Sequence, residues 1–329
     1  MVGETSRAVV LPELDPSRYQ RHALHAEERV WVEKNCYVDI WIEVIHALGC
    51  DPMAVLPFVV AIDFEGDQWT FFKPPHGELR VLYGLDVQEL NVWRPLVEHA
   101  REHLAAGKLI STEADAFWLP DTQGTDYRRQ HTKTTIVLNE LDLDAHRLGY
   151  FHNAGYFSVA GEDFDRLLRV GAGPDPTFMP LFAELIRSER VVRHDPALLR
   201  RLSRELLRTH LARRAVPDPV ERFQRRFERD LPWLTREGLD LYHAWAFATV
   251  RQLGAAAELA ALYVRWLEAP ELTTAAAPFE QVSNAAKALI LKGARAVNGK
   301  RPLDARGLFA EMAEGWQQAL DVLARAVGV

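Results

Sequence analysis

The chain has 329 residues, 48% of them hydrophobic and 26% charged, a globular composition that excludes long disordered arms. A formal net charge of −7 argues against general nucleic-acid binding, which needs a basic face. Two cysteines exclude a disulfide framework and a four-cysteine zinc site and fit a reducing compartment. The opening Met1-Val2-Gly3-Glu4-Thr5-Ser6-Arg7 has no signal-peptide core, and no apolar stretch reaches the length of a membrane span. A cytoplasmic protein without a membrane partner is expected.

The first predicted helix opens at Cys36. Val38, Trp41, Ile42, Ile45 and Leu48 follow the i, i+3, i+4, i+7 pattern, with Asn35 as the expected N-cap. Gly49, just before Asp51-Pro52, is the expected stop. A thiol in a first helical turn meets unpaired backbone N–H groups and the positive end of the dipole, which predicts a favoured thiolate. Cys50, past the other end, lacks that help. Asp39 and Glu43 lie one and two turns after Cys36 on its own face, where they are candidates to recognise a substrate amine.

Strand-like runs follow at 58–63, 69–72, 109–112, 134–138, 148–151 and 156–159, separated by turn signals such as Glu65-Gly66-Asp67 and Asn153-Ala154-Gly155. Helices are expected over 87–106 and 161–169. The first 175 residues therefore read as an α+β domain. From residue 176 onward the signal is helical, at 178–189, 196–214, 220–230, 236–254, 255–268, 279–297 and 305–327. Breaks fall at Val216-Pro217-Asp218-Pro219, Leu231-Pro232, Ala269-Pro270 and Asn298-Gly299-Lys300. Residues 176–329 read as an all-α domain.

His131 immediately precedes the strand at 134–138, and the next strand ends in His152-Asn153-Ala154-Gly155. Cysteine on a helix start, histidine opening a strand and asparagine at the end of the next strand is the order of a papain-like Cys-His-Asn triad. Cys36 would be the nucleophile, His131 the general base and acid, and Asn153 the group orienting the imidazole. Asp126, Tyr127, Arg128 and Lys133 cluster around His131 and are candidate substrate contacts.

On Gly107-Lys108-Leu109-Ile110, Asp115-Ala116-Phe117-Trp118-Leu119-Pro120 and His131, the first ~170 residues resemble the papain-like superfamily branch of C39-type peptidase domains. They are closer still to the N-terminal domain of the butirosin-biosynthesis acyltransferase. The whole chain also resembles an uncharacterised bacterial family, through Asn35-Cys36-Tyr37-Val38-Asp39, Leu119-Pro120-Asp121-Thr122-Gln123-Gly124-Thr125-Asp126-Tyr127 and Tyr150-Phe151-His152-Asn153-Ala154-Gly155-Tyr156-Phe157. The resemblance implies a papain-like domain followed by a helical one. It also implies acyl transfer from the phosphopantetheine thioester of a partner carrier protein, with no bound cofactor. Two positions depart from the pattern. Val30 stands where papain-type enzymes carry an oxyanion-donating glutamine, so Asn35 or backbone N–H groups must take that role. Asn153-Ala154 replaces the usual Asp-Pro, so His152 or Asp121 competes to orient the imidazole.

Other signals are weaker. His99 and His103 have i, i+4 spacing without a zinc motif, and no nucleotide-phosphate loop is present, so no metal or nucleotide is expected. Thirteen arginines between Arg187 and Arg229 read mainly as exposed groups paired with neighbouring acids, and secondarily as a face for an acidic carrier. The sequence thus predicts a cysteine-dependent acyltransferase working on a carrier-bound thioester and a small amine. An intracellular amidase or peptidase, or a non-catalytic carrier-binding module, are the alternatives.

Overall fold

A computed structural model of the protein describes residues 6–173, 175, 177–216 and 218–329. The reading of Met1–Thr5, the division at Pro176 and the break at Pro217 fall outside the described residues.

The chain divides into two units that are not collinear with the sequence. The first comprises residues up to Ala26, Cys36–Pro52 and His76–His194. It contains β1 (Arg7–Val9), α1 (Cys36–Ala47), α2 (His76–Tyr83), β2 (Val87–Glu89), α3 (Leu96–Ala105), β3 (Leu109–Asp115), β4 (Lys133–Asp142), β5 (Arg147–His152), β6 (Gly155–Ala160), α4 (Glu162–Leu168) and β7 (Ala183–Ile186). The sheet is antiparallel, in the order β2-β7-β3-β4-β5-β6, and β1 pairs with the far end of β4.

Period-two alternation gives the sheet two faces. One carries Ile110, Ile136, Leu138, Leu148 and Tyr150, and these pack with Ala100 and Leu104 of α3 and Phe164 and Leu168 of α4. The opposite face, with Phe151 and Tyr156 in ring contact, belongs to α1, which packs against β4, β5 and β6. α1 is apolar nearly all round, as a helix covered on most sides must be. It ends as expected at Gly49, whose φ of +71° lets the Cys50 N–H reach the Ile45 carbonyl at 3.0 Å.

The second unit joins Glu27–Asn35 and Met53–Pro75 to Asp195–Val329. It holds α5 (Pro196–Leu211), α6 (Pro219–Glu237), α7 (Leu239–Ala248), α8 (Val250–Trp266), α9 (Pro270–Thr273), α10 (Ala276–Gly299) and α11 (Arg306–Val327). The alanines of α8 are buried against α10. Glu258 of α8 accepts the Val30 and Trp31 N–H groups at 2.9 and 3.2 Å, and Trp31 Nε1 donates to Ser283 at 2.9 Å. Gly254 is required where Trp31 lies: a Cβ there would fall 2.4 Å from the indole.

Several expectations are corrected. Residues 58–61 belong to a 3-10 stretch, Pro52–Ala61, rather than a strand, because an unbroken buried apolar run carries no period. Residues 69–72 contribute only the Phe64–Trp69 bridge. The single helix expected over 87–106 is β2 followed by α3, and 178–189 yields β7 instead of a helix. These strands of three and four residues are too short to show alternation and are fixed by pairing, β7 lying between β2 and β3. Pro232 sits inside α6 on an exposed face, where water can satisfy the carbonyl it leaves unpaired. The helix expected over 236–254 divides at Thr249.

Candidate active site

Cys36 opens α1 beside the first residues of β4, where it is partly buried. The Thr134 side chain and the Thr135 backbone lie against its sulfur and favour the thiolate. Burial nevertheless pushes the thiol above its ordinary value, Asp39 adds to that, and Lys133 with the two threonines only offsets part of it. The favoured thiolate expected from the helix dipole is therefore corrected. Desolvation wins, and Cys36 rests as a thiol that needs a base.

A base stands one hydroxyl away. Thr134 Oγ1 lies 2.8 Å from His152 Nε2, and His152 Nδ1 lies 2.5 Å from Asp121 Oδ2. The other Asp121 oxygen accepts the Tyr150 hydroxyl at 2.5 Å. Alternation along β5 puts Tyr150 and His152 on one face. Val137 pairs with Phe151, leaving His152 diagonal to Thr134. Asp121 reaches them from the 3-10 turn Pro120–Thr122, which the Thr122 hydroxyl pins to the Ala116 and Leu119 carbonyls at 3.1 and 2.9 Å. An ionised carboxylate only accepts, so Nδ1 carries the proton and Nε2 is free to accept one from Thr134. Cys36 is thus followed, in order, by Thr134, His152 and Asp121, the last three joined by hydrogen bonds. The His152 side chain is 2% exposed, so the path's inner end is shielded from solvent.

His131 is placed differently. Its Nδ1 bonds Asp115 Oδ2 at 2.6 Å and its ring stacks on Phe117 at 4.4 Å, while its side chain is 69% exposed. Among the described residues no hydrogen bond joins it to Cys36 or to Asn153. Asn153 instead takes the left-handed conformation, φ +45°, in the two-residue turn between β5 and β6. The expected Cys36–His131–Asn153 triad is not assembled. Its strand-opening and strand-ending positions are filled by Thr134 and His152. Asn35, the expected oxyanion donor, gives its amide to the Phe72 carbonyl at 3.0 Å and to Gln252 Oε1 at 3.3 Å.

The expected substrate contacts are mostly engaged within the fold. Asp39 and Glu43 are fully buried around His25. Asp126 accepts from Gln130 at 2.9 Å. Tyr127 and Arg128 both bond Asp163, at 2.7 and 2.5 Å, and Arg128 lies 4.7 Å over the Trp118 ring. Lys133 also pairs, with Glu113 at 3.1 Å, but its side chain is exposed. Sequence reasoning missed a polar group next to Cys36: Tyr37 donates to Glu184 at 2.8 Å and lies 3.1 Å from His76 Nε2. Its parts are 39 to 147 residues apart in sequence, so no local pattern marks them.

The arginine run is largely paired with acids, as in Arg187–Asp86, Arg200–Glu268, Arg204–Glu271, Arg222–Asp63 and Arg226–Asp230. Among the described residues no group of three or more His, Cys, Asp or Glu could hold a metal ion. No described helix is long and apolar enough to cross a membrane.

No curated protein matches the chain. The family model for the DUF1839 N-terminal domain matches residues 20–188, and that for the DUF1839 C-terminal domain matches residues 197–325. The first match covers every residue of the path from Cys36 to Asp121, and the junction between the two falls near the start of α5. With both domains present in order over most of its length, the chain belongs to the DUF1839 family.

Proposed function

We propose that the protein is a cysteine-dependent acyltransferase in which Cys36 is the nucleophile, His152 the general base and acid acting through Thr134, and Asp121 the group that orients His152. The observation that carries this reading is the hydrogen-bonded path from Thr134 Oγ1 to His152 Nε2, closed by Asp121 on Nδ1, with the Cys36 sulfur beside Thr134. The Cys36 proton passes to Thr134 while the Thr134 proton passes to Nε2. The sulfur then bonds the carbonyl carbon of a thioester, and the donor's carbon–sulfur bond breaks. The departing thiolate takes a proton from Thr134, which His152 Nε2 replaces. An amine next attacks the acyl–Cys36 carbonyl and gives up a proton to His152 through Thr134; the carbon–sulfur bond breaks and that proton returns to the Cys36 sulfur along the same path. Backbone N–H groups at the start of α1 are the candidate oxyanion donors, since the Asn35 amide is engaged elsewhere. The resemblance in sequence supports a papain-like relationship for the first unit and a carrier-protein phosphopantetheine thioester as donor.

The raised thiol favours a second reading, a binding module with no chemistry. Incubation with a small acyl thioester followed by intact-mass measurement separates the two. An acyl adduct on Cys36, lost in Cys36→Ala and discharged by an amine, supports the transferase. Discharge by water alone would make it an amidase. No adduct in the wild type, with several donors tried, would leave the binding module standing.

A further inference from the structure

All the groups in this section lie in the first unit. Asp39 follows Cys36 by one turn of α1, and Glu43 follows Asp39 by one more. Both are fully buried, although like charges at i, i+4 repel and buried charge is costly unless compensated. His25, at the end of the 3-10 turn Ala23–His25, is also fully buried and sits between them. Its Nε2 lies 3.0 Å from Asp39 Oδ1, and its Nδ1 makes a shorter contact with Glu43 Oε1. Glu43 further accepts the Tyr19 hydroxyl at 2.6 Å and the His22 backbone N–H at 3.1 Å. Burial pushes the Glu43 carboxyl up, but the bonds from His25, Tyr19 and His22 outweigh it and hold it below its ordinary value. Ionised carboxylates offer only lone pairs. A ring held between two of them donates from both nitrogens and carries a positive charge.

We infer that His25 is a positioning residue for Cys36: a buried imidazolium that compensates Asp39 and Glu43, so that the Asp39 charge bears only in part on the sulfur one turn away. The surrounding groups leave this role to His25. Burial and the neighbouring His46 push His22 down to about 4, so it is neutral at neutral pH. Burial and Glu43 keep the proton on Tyr19. The groups facing the sulfur itself are Asp39 from α1 and Lys133, Thr134 and Thr135 from β4. With His25 charged, the triad of Asp39, Glu43 and His25 sums to −1; with a neutral residue in its place the sum is −2, and the thiolate is disfavoured further.

The inference rests on the reading of Cys36 as nucleophile, but its test needs no acyl donor. The test is the pH profile of iodoacetamide labelling of Cys36 in the full chain, resolved by peptide mass spectrometry with Cys50 as internal standard and folding followed by circular dichroism. His25→Gln should move the Cys36 midpoint up by about one pH unit, which is roughly tenfold slower labelling below the midpoint. Asp39→Asn should move it down by a similar amount, and the double variant, whose charges again sum to −1, should return close to wild type. A folded His25→Gln protein with an unmoved or lowered midpoint would overturn the inference. If His25→Gln does not fold, Asp39→Asn decides: a lowered midpoint supports the electrostatic role, and an unmoved or raised one refutes it. Acyl adducts forming normally without these shifts would remove this inference alone. The shifts without adducts would remove the proposed transferase alone.

Discussion

The loop that carries His131 and the strand end that carries His152 make the same local pair, a histidine Nδ1 against an aspartate oxygen at 2.6 and 2.5 Å. Their surroundings differ. His131 lies on an aromatic platform in solvent, its side chain 69% exposed, whereas His152 is enclosed at 2%. Only the enclosed pair continues to Thr134, the neighbour of Cys36. A His–Asp pair is therefore not by itself a general base. What distinguishes the two is the group that the second nitrogen reaches and whether water is kept from the path.

Breaking the enclosed pair should have the largest effect. Asp121→Asn presents an amide where Nδ1–H needs an acceptor and disturbs the tautomer, so the acyl-transfer rate should fall on the order of 10³-fold. Asp115→Asn, the matching change at the exposed pair, should leave it within about threefold. Steady-state transfer assays of the two variants make that comparison directly.

Thr134 is the next largest. Thr134→Val keeps the shape and removes the hydroxyl linking Cys36 to Nε2, with an expected loss of roughly 10–100-fold. Thr134→Ser should restore most of the rate. Equal activity of the Val and Ser variants would mean that the path does not run through this hydroxyl.

Stability should show the same asymmetry. Tyr150→Phe removes the donor to the buried Asp121 and should cost about 1.5–3 kcal/mol in denaturant unfolding. Phe117→Leu, on the half-buried platform beneath the exposed His131, should cost under about 1 kcal/mol. The smallest effect concerns the resting thiol. Because burial and Asp39 push Cys36 up, its labelling by iodoacetamide should still be rising with pH past about 8.5, the value of a free thiol. A plateau already reached near pH 6 would indicate a preformed thiolate.

Much of this architecture was legible in the residues. β4, β5 and β6 have the β-branched and aromatic runs that the sequence reading found, and Cys36 does begin its helix. The long helices α5, α10 and α11 fall within a few residues of their periodic segments. The edge-side strands β2 and β7 were not legible, since three or four residues show no period and pairing decides them. Nor could order along the chain decide between His131 and His152. The choice depends on the loop 116–132 turning His131 outward onto Phe117 while delivering Asp121 beneath β5. One local signal did exist. Tyr150 and His152 share a strand face by alternation, and both bond an aspartate in the Leu119-Pro120-Asp121-Thr122 motif.

The most direct test of the central claim is the single-turnover rate of Cys36 acylation in His152→Ala and His131→Ala, each with a small thioester and each shown to be folded. The account predicts a loss of 10²–10⁴-fold for His152→Ala and a rate within about threefold of wild type for His131→Ala. The reverse ranking would contradict it and return the base to His131.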